Sequence, residues 1–257
     1  MEPEAVFFDL GDTLIFQAHL PDRARLYSAM AERLRPLLIG WGVAPGIDLL
    51  ALLAELFPAV EQSQIARRER GLEVDGAFVA RGALAAYGID ASAERADAFW
   101  RATAVDYKLW GAQLYPDTLD TLRRLRELSL PVACVSNSLY PSEAMRSQLD
   151  SLGVSDDLLP VLVSSSDMMR PKPRPEPFRR ALDAVGLDTA GVVFAGDSLE
   201  ADVRGAKALG MTTVWKLNGR HEVPPDPTPI TWSTTCGSCS RSDCCQTPRR
   251  ASRRRKA

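Results

Sequence analysis

No apolar run in the 257-residue chain approaches the about 20 residues that a membrane-crossing helix needs. A helical membrane span is therefore excluded, and no membrane partner is expected. A basic leader is lacking too. The chain starts Met1-Glu2-Pro3-Glu4 and runs straight into an apolar segment, so a secretory signal is not expected and cytoplasmic residence is. There is no internal repeat, which argues against a solenoid. A large charge of one sign is also missing, since the net charge is −2. Seven Lys and Arg against three Asp and Glu after residue 220 leave residues 1–220 at −6. An acidic body argues against nucleic-acid binding by the folded part. Cysteine is nearly absent from that body. Cys134 stands alone in an apolar strand, where a buried, inert thiol is expected.

What is present is a soluble globular composition, 46% hydrophobic and 25% charged, long enough for one large domain or one domain with an insert. A first strand is expected from Ala5 to Asp9. From Phe16 to Gly111 the periodicity is helical throughout, with segments Pro21–Leu38, Ile47–Arg70, Asp75–Tyr87 and Ser92–Trp110 punctuated by glycines. After that, strands and helices alternate. Strands are expected at Pro131–Val135, Leu158–Val163, Gly191–Ala195 and Met211–Leu217. Helices are expected at Pro116–Leu128, Ser142–Leu152, Pro175–Val185 and Leu199–Leu209. Alternation of this kind gives right-handed βαβ units, and hence an α/β fold with a parallel sheet covered by helices on both faces.

The strand ends carry the chemistry. Asp9 closes an apolar run and opens the turn Asp9-Leu10-Gly11-Asp12-Thr13-Leu14. A carboxylate at the carboxyl edge of a parallel sheet lies where ligands of such sheets bind, and it can act as a nucleophile. A helix-capping Asp is the competing reading. The other strands end in Ser136-Asn137, in Ser164 to Asp167 and in Gly196-Asp197, so small or acidic residues are expected along one rim. Asp197 and Asp202 lie five residues apart. With Asp9 they supply hard oxygen ligands suited to Mg²⁺, although Asp202 also suits a helix N-terminus. In Arg170-Pro171-Lys172-Pro173-Arg174-Pro175 the prolines stiffen the chain around Lys172, so that it can face a fixed anion; an exposed linker is the alternative.

With these four segments in order, residues 4–220 resemble the haloacid-dehalogenase-like (HAD) hydrolase superfamily, in its C1-capped, phosphatase-type form. The resemblance implies a Rossmann-like, doubly wound parallel sheet formed by residues 1–15 and 112–220. An all-helical cap is implied over residues 16–111, and a Pro/Ser/Cys/Arg-rich tail over 221–257. It implies Asp9 as nucleophile, with Ser136, Asn137 and Lys172 as phosphoryl or substrate contacts. Mg²⁺ would be held by Asp9, the Gly11 carbonyl and Asp197. Asp202 would support either the metal shell or the lysine. The substrate would be a small phosphorylated metabolite. Oligomeric state is not implied.

One position departs from this pattern. The family's phosphatases usually carry a second Asp two residues after the nucleophile, for acid–base work, and here that residue is Gly11. Asp12 follows one place late. Three outcomes are open: a phosphatase helped by Asp12, the cap or water; a substrate whose leaving group needs little protonation; or a weakly active or non-catalytic protein. Dehalogenases of the family also lack this acid, yet the Gly196-Asp197 pair suits a metal-dependent phosphohydrolase better. Gln17, His19 and Arg23 are further substrate-contact candidates. Arg67-Arg68-Glu69-Arg70 is expected to be a solvated helix face, and Trp100 and Trp110 are expected to pack within the cap or its hinge. The tail is expected to be disordered. Its basic end, Arg249 to Lys256, is a candidate for anionic partners. The spacing of Cys236, Cys239, Cys244 and Cys245 is too cramped for usual zinc sites. A reading-frame shift near residue 230 would also produce this change of composition.

Overall fold

A computed structural model describes residues 2–218 and 230–232. Its main sheet contains β1 (Ala5–Phe8), β4 (Val132–Ser136), β5 (Val161–Ser164), β6 (Val192–Gly196), β7 (Thr212–Lys216) and β8 (Ile230–Trp232). The spatial order is β5-β4-β1-β6-β7-β8, and every neighbouring pair is parallel. The chain leaves β1 for β4 and β5 on one side, then returns to β6 on the other. The order therefore reverses at β1, and ligands of open α/β sheets bind at such a switch point.

Alternation within β1 sets the two layers. Ala5 and Phe7 face one cluster with Val135, Phe178, Ala181 and Phe194. Phe8 faces the other, with Cys134, Leu122, Met145 and Leu149. The helical partners come from α5 (Thr118–Glu127) and α6 (Ser142–Asp150) on one face and α7 (Pro175–Val185) on the other, while Cys134, Val135 and Phe194 belong to neighbouring strands. Each fully buried large apolar side chain contributes about 1.5–3 kcal/mol. A shift of register by one residue would turn all of them to the wrong face.

The segment between β1 and β4 holds four helices: α1 (Arg23–Gly40), α2 (Leu49–Arg68), α3 (Gly76–Ala86) and α4 (Ala93–Ala102). Asp22, Asp48, Asp75 and Ser92 cap them by accepting backbone N–H bonds in the first turn. Their apolar faces form a separate core around Leu34, Leu52, Leu56, Leu84 and Phe99. Gly76 lacks a side chain because the Trp100 ring occupies the space: a Cβ there would lie 2.1 Å from it.

Four features differ from the sequence expectations. A short antiparallel ribbon, β2 (Ile15–Gln17) with β3 (Ala112–Leu114), forms where helix was expected to begin and end. Both expected core–insert junctions fall in it. Three-residue strands carry no readable period, and their pairing joins residues almost a hundred positions apart. The expected Ser92–Trp110 helix stops at Ala102, where the Thr103 hydroxyl bonds back to the Trp100 carbonyl at 2.6 Å; a separate 3₁₀ turn covers Tyr107–Trp110. Leu199–Arg204 is a π turn leading into α8 (Gly205–Ala208), not a regular helix. Finally, Ile230–Trp232 pairs with β7, although no regular structure was expected after Leu217. A triplet of β-branched and aromatic residues has the composition to add to an open sheet edge. The remainder of the tail, with its cysteines and basic end, lies outside the described residues. None of the described helices is long and apolar enough to cross a membrane.

Candidate active site

Asp9 leaves β1 at the switch point with its backbone still in register, its N–H donating to the Ala195 carbonyl at 2.8 Å. Asp9 as a residue is only 8% exposed. Lys172, 4% exposed, reaches it from the opposite wall, and its Nζ donates to Asp9 Oδ1 at 2.6 Å. The same ammonium donates to Asp202 Oδ1 at 2.7 Å and to the Val135 carbonyl at 2.6 Å. All three of its N–H groups are thus used. Burial lowers the Lys172 pKa, but the two carboxylates raise it by more, so the net shift is upward and the ammonium stays charged. For Asp9, burial raises the pKa to about 7, with Lys172 opposing and Asp202 adding.

Local sequence explains how Lys172 is held. The side-chain amide of Asn137 grips the lysine's own backbone: the Lys172 N–H donates to Asn137 Oδ1 at 2.7 Å, and Asn137 Nδ2 donates to the Lys172 carbonyl at 3.0 Å. Asp202 approaches over Gly196, where a Cβ would come within 2.5 Å of its carboxyl group. Its second oxygen accepts the Ser198 N–H at 3.0 Å, so the π turn folds this acid back onto the rim. The Asp197 carbonyl accepts from the buried indole of Trp215 at 3.0 Å.

Carboxylate oxygens of Asp9, Asp197 and Asp202 lie within 4.8 Å of one another. Two of these carboxylates share the Lys172 ammonium and the third lies beside them, and the excess negative charge suits a hard cation with oxygen ligands. A pocket of about 530 Å³ opens over them, lined also by Gly11, Asp12, Ser136 and Asn137. The structure thus brings Asp9, Gly11, Asp12, Ser136, Asn137, Lys172, Asp197 and Asp202 together around one pocket. Asp12 sits at its mouth with φ of 53°, in a turn whose carbonyls are tied down by Asn218 Nδ2 (to Asp12, 2.6 Å) and Lys216 Nζ (to Thr13, 2.7 Å).

The fourth polar strand end is spent differently. Ser164 Oγ donates to the Tyr140 carbonyl at 2.7 Å, and Asp167 accepts the Ser142 N–H at 3.2 Å. These residues fasten the loop after β4 and do not line the pocket. The secondary candidates also separate. Gln17 Nε2 donates to the Trp110 carbonyl at 3.2 Å, while His19 and Arg23 are exposed. Arg67 is not solvated as expected: half-buried, it donates to the Glu73 carbonyl at 2.6 Å. Trp100 donates from Nε1 to the Leu139 carbonyl at 3.1 Å and stacks on Tyr140 at 4.8 Å, joining the helical unit to the sheet.

Glu73 was missed by sequence reasoning. It is 1% exposed and lies in the loop between α2 and α3. Its carboxylate accepts from the hydroxyl of Ser165, which in turn accepts the Ser138 N–H at 3.0 Å. Arg174 Nε donates to the carbonyl of neighbouring Gly71 at 2.7 Å. The loop is therefore fastened to the sheet at two points. The available signal was an acid between Leu72 and Val74 just after a glycine, which reads as an ordinary loop. Glu73→Ala is expected to cost about 1.5–3 kcal/mol of stability, the usual worth of a hydrogen bond to a charged group. It should also raise amide exchange across residues 71–75 and 138–140. Urea denaturation and exchange mass spectrometry check both.

The fold and the site define an α/β protein with a lysine-clamped carboxylate centre at the switch point of its sheet. A family model described as haloacid dehalogenase-like hydrolase matches residues 3–210, and the chain belongs to that family. It is 26% identical over 227 residues to a glyceraldehyde 3-phosphate phosphatase of Methanopyrus kandleri, covering 85% of this chain and 86% of that one. It is 28% identical over 229 residues to a phosphoglycolate phosphatase of Rhodospirillum rubrum, covering 86% and 83%. The crystal structure of a 2-haloacid dehalogenase from Pseudomonas syringae superposes with a TM-score of 0.55 at 21% identity, covering 90% of this chain and 93% of that one. That likeness bears out the α/β fold class. The chain is a HAD-like hydrolase with phosphatases among its relatives.

Proposed function

We propose that this hydrolase releases phosphate from small phosphomonoesters through an aspartyl-phosphate on Asp9, with Mg²⁺ as cofactor. The observation that carries the reading is the buried contact of Lys172 with both Asp9 and Asp202, beside a third carboxylate. A carboxylate attacks a phosphate dianion poorly because like charges repel, and fixed positive charge lowers that barrier. Asp9, Asp197 and the Gly11 carbonyl would hold Mg²⁺, which when bound supplies further positive charge against the phosphoryl oxygens. Asp202 has one oxygen on Lys172 and the other on Ser198, which supports the lysine role over direct metal ligation.

In this reading Asp9 attacks phosphorus, the bond to the leaving alcohol breaks, and water then cleaves the acyl-phosphate and regenerates Asp9. Ser136 lines the pocket beside Asp9 and is assigned to the phosphoryl group. Asn137 acts through the Lys172 backbone that it grips. The departing alkoxide needs a proton, and Asp12 at the pocket mouth is the candidate donor. The helical unit over the rim acts as a cap that limits water. The three-carboxylate cluster favours this chemistry over dehalogenation, which needs no cation for a phosphoryl group.

Gly11 carries a second reading, a weakly active or non-catalytic protein. A Cβ at residue 11 would meet nothing within 4 Å, so Gly11→Asp fits without strain. Positioned acid–base help is worth about 10²–10⁴-fold. Gly11→Asp is expected to raise kcat by at least about tenfold, checked by phosphate release at saturating ester. The reading itself is tested with a broad phosphate-ester panel, with Mg²⁺ and with chelator. Phosphate release that requires Mg²⁺ supports it. No release from any ester, with Asp9→Asn indistinguishable from wild type, ends it.

A further inference from the structure

We propose that the substrates are phosphate esters of uncharged, ring-bearing alcohols, selected by a second chamber that opens from the phosphoryl pocket. This deepens the hydrolase reading above and rests on it. The chamber is an open cleft of about 410 Å³, within the about 300–1,000 Å³ typical of small-molecule pockets. It shares Gly11, Asp12 and Asn137 with the phosphoryl pocket, so a leaving group on a phosphoryl bound over Asp9 has direct access to it.

Charge decides what it accepts. Among the described residues, no lysine or arginine lines the chamber, and its one charged side chain is Asp12. Among the described residues the one cation lining the phosphoryl pocket is Lys172, whose donors already meet Asp9, Asp202 and Val135. Arg23 lines a smaller adjoining groove of about 220 Å³ that shares Gln64 and Trp110 with the chamber, and it does not line the chamber itself. A hydroxy-acid leaving group would place its carboxylate beside Asp12, with no lining cation among the described residues to pair with it. Burying an unpaired charge is among the costliest events in recognition.

The walls match a neutral ring instead. Phe16, Tyr107 and Trp110 offer flat apolar surface. Phe16 is braced by Tyr115 with ring centroids 4.8 Å apart, and Trp110 by Phe57 at 5.6 Å, so both faces are set before a ligand arrives. The chamber's uncharged polar groups are amides, Gln17, Gln64 and Gln148 among them, and the hydroxyls of Ser138, Tyr107 and Tyr140. Gln148 spends Nε2 on the Val105 carbonyl at 2.7 Å, while its Oε1 is buried with no partner.

The test compares kcat/KM of the full chain with Mg²⁺ for matched esters. Ribose 5-phosphate and phenyl phosphate are the neutral ring arms, sugar and aryl. Phosphoglycolate and 3-phosphoglycerate are the carboxylate arms. At least one ring ester is expected to exceed both carboxylate esters by about tenfold or more, the discrimination reached when a charge is left unpaired. Gln64→Arg, which adds a cation to the wall, is expected to narrow that ratio at least about threefold. Calorimetric binding of the same intact esters to Asp9→Asn should rank them alike, so slow turnover does not hide the preference. Equal or better use of the carboxylate esters overturns the inference and leaves the phosphatase reading standing. Absence of hydrolysis across the broad ester panel as well, with Asp9→Asn indistinguishable from wild type, overturns both.

Discussion

Asp9→Asn is expected to lower kcat for phosphate-ester hydrolysis by about 10⁴-fold or more, the scale of losing a covalent nucleophile. The amide is nearly isosteric with the carboxylate but does not attack phosphorus. Lys172 would still meet Asp202 and the Val135 carbonyl, so the rim keeps its framework. Burial already disfavours charge at this position, raising the Asp9 carboxyl to about 7. A neutral side chain there should therefore change stability by only about 1 kcal/mol, the ordinary effect of a single mild substitution. Steady-state phosphate release gives the rate. Acid quenching with labelled ester tests for the acyl-phosphate, which the wild type should trap and the variant should not. A variant that retained a tenth of wild-type activity would remove Asp9 from the reaction.

Lys172→Met should damage both stability and turnover. Without the ammonium, the Asp9 and Asp202 carboxylates face each other away from water, and one must take up a proton. Removing one partner from a buried ion cluster costs about 3–5 kcal/mol. Loss of the fixed positive charge should lower kcat by about 10²–10³-fold, the usual worth of one preorganised electrostatic contact. Adding Asp202→Asn to Lys172→Met should recover part of the stability, because residues in one network are not additive. It should recover none of the activity. Urea denaturation of the two variants, read beside phosphate release, separates the effects. A Lys172→Met protein as stable as wild type would show that the lysine does not hold this site together.

The legible parts of the chain were those with local causes. Phe7 and Phe8 alternate between two cores because side chains alternate along any strand. The helices began close to where capping residues Asp22, Asp48, Asp75 and Ser92 stand. Asp9, Ser136, Lys172 and Asp197 drew attention because each ends a strand or sits in stiffened backbone. The β2–β3 ribbon was not legible, since three-residue strands depend on a partner almost a hundred residues away. Glu73 was not legible either. Its burial follows from Ser165, which a different strand carries to the same place. Ser164 and Asp167 looked like site residues by the same strand-end logic as Asp9, but they fasten a loop.

By itself, the amino-acid sequence determined the alternation of elements, the fold class and the set of polar residues able to reach one rim. Period, capping and strand-end chemistry act within a few residues, so they can be read without the fold. Only the tertiary structure decided which of those residues meet. It turned Asn137 onto the backbone of Lys172, folded Asp202 back over Gly196, and left the chamber beside Gly11 without a lining cation among the described residues. Those outcomes depend on charges and cavities made by segments far apart in the chain, and electrostatics and packing act through space, not along the sequence.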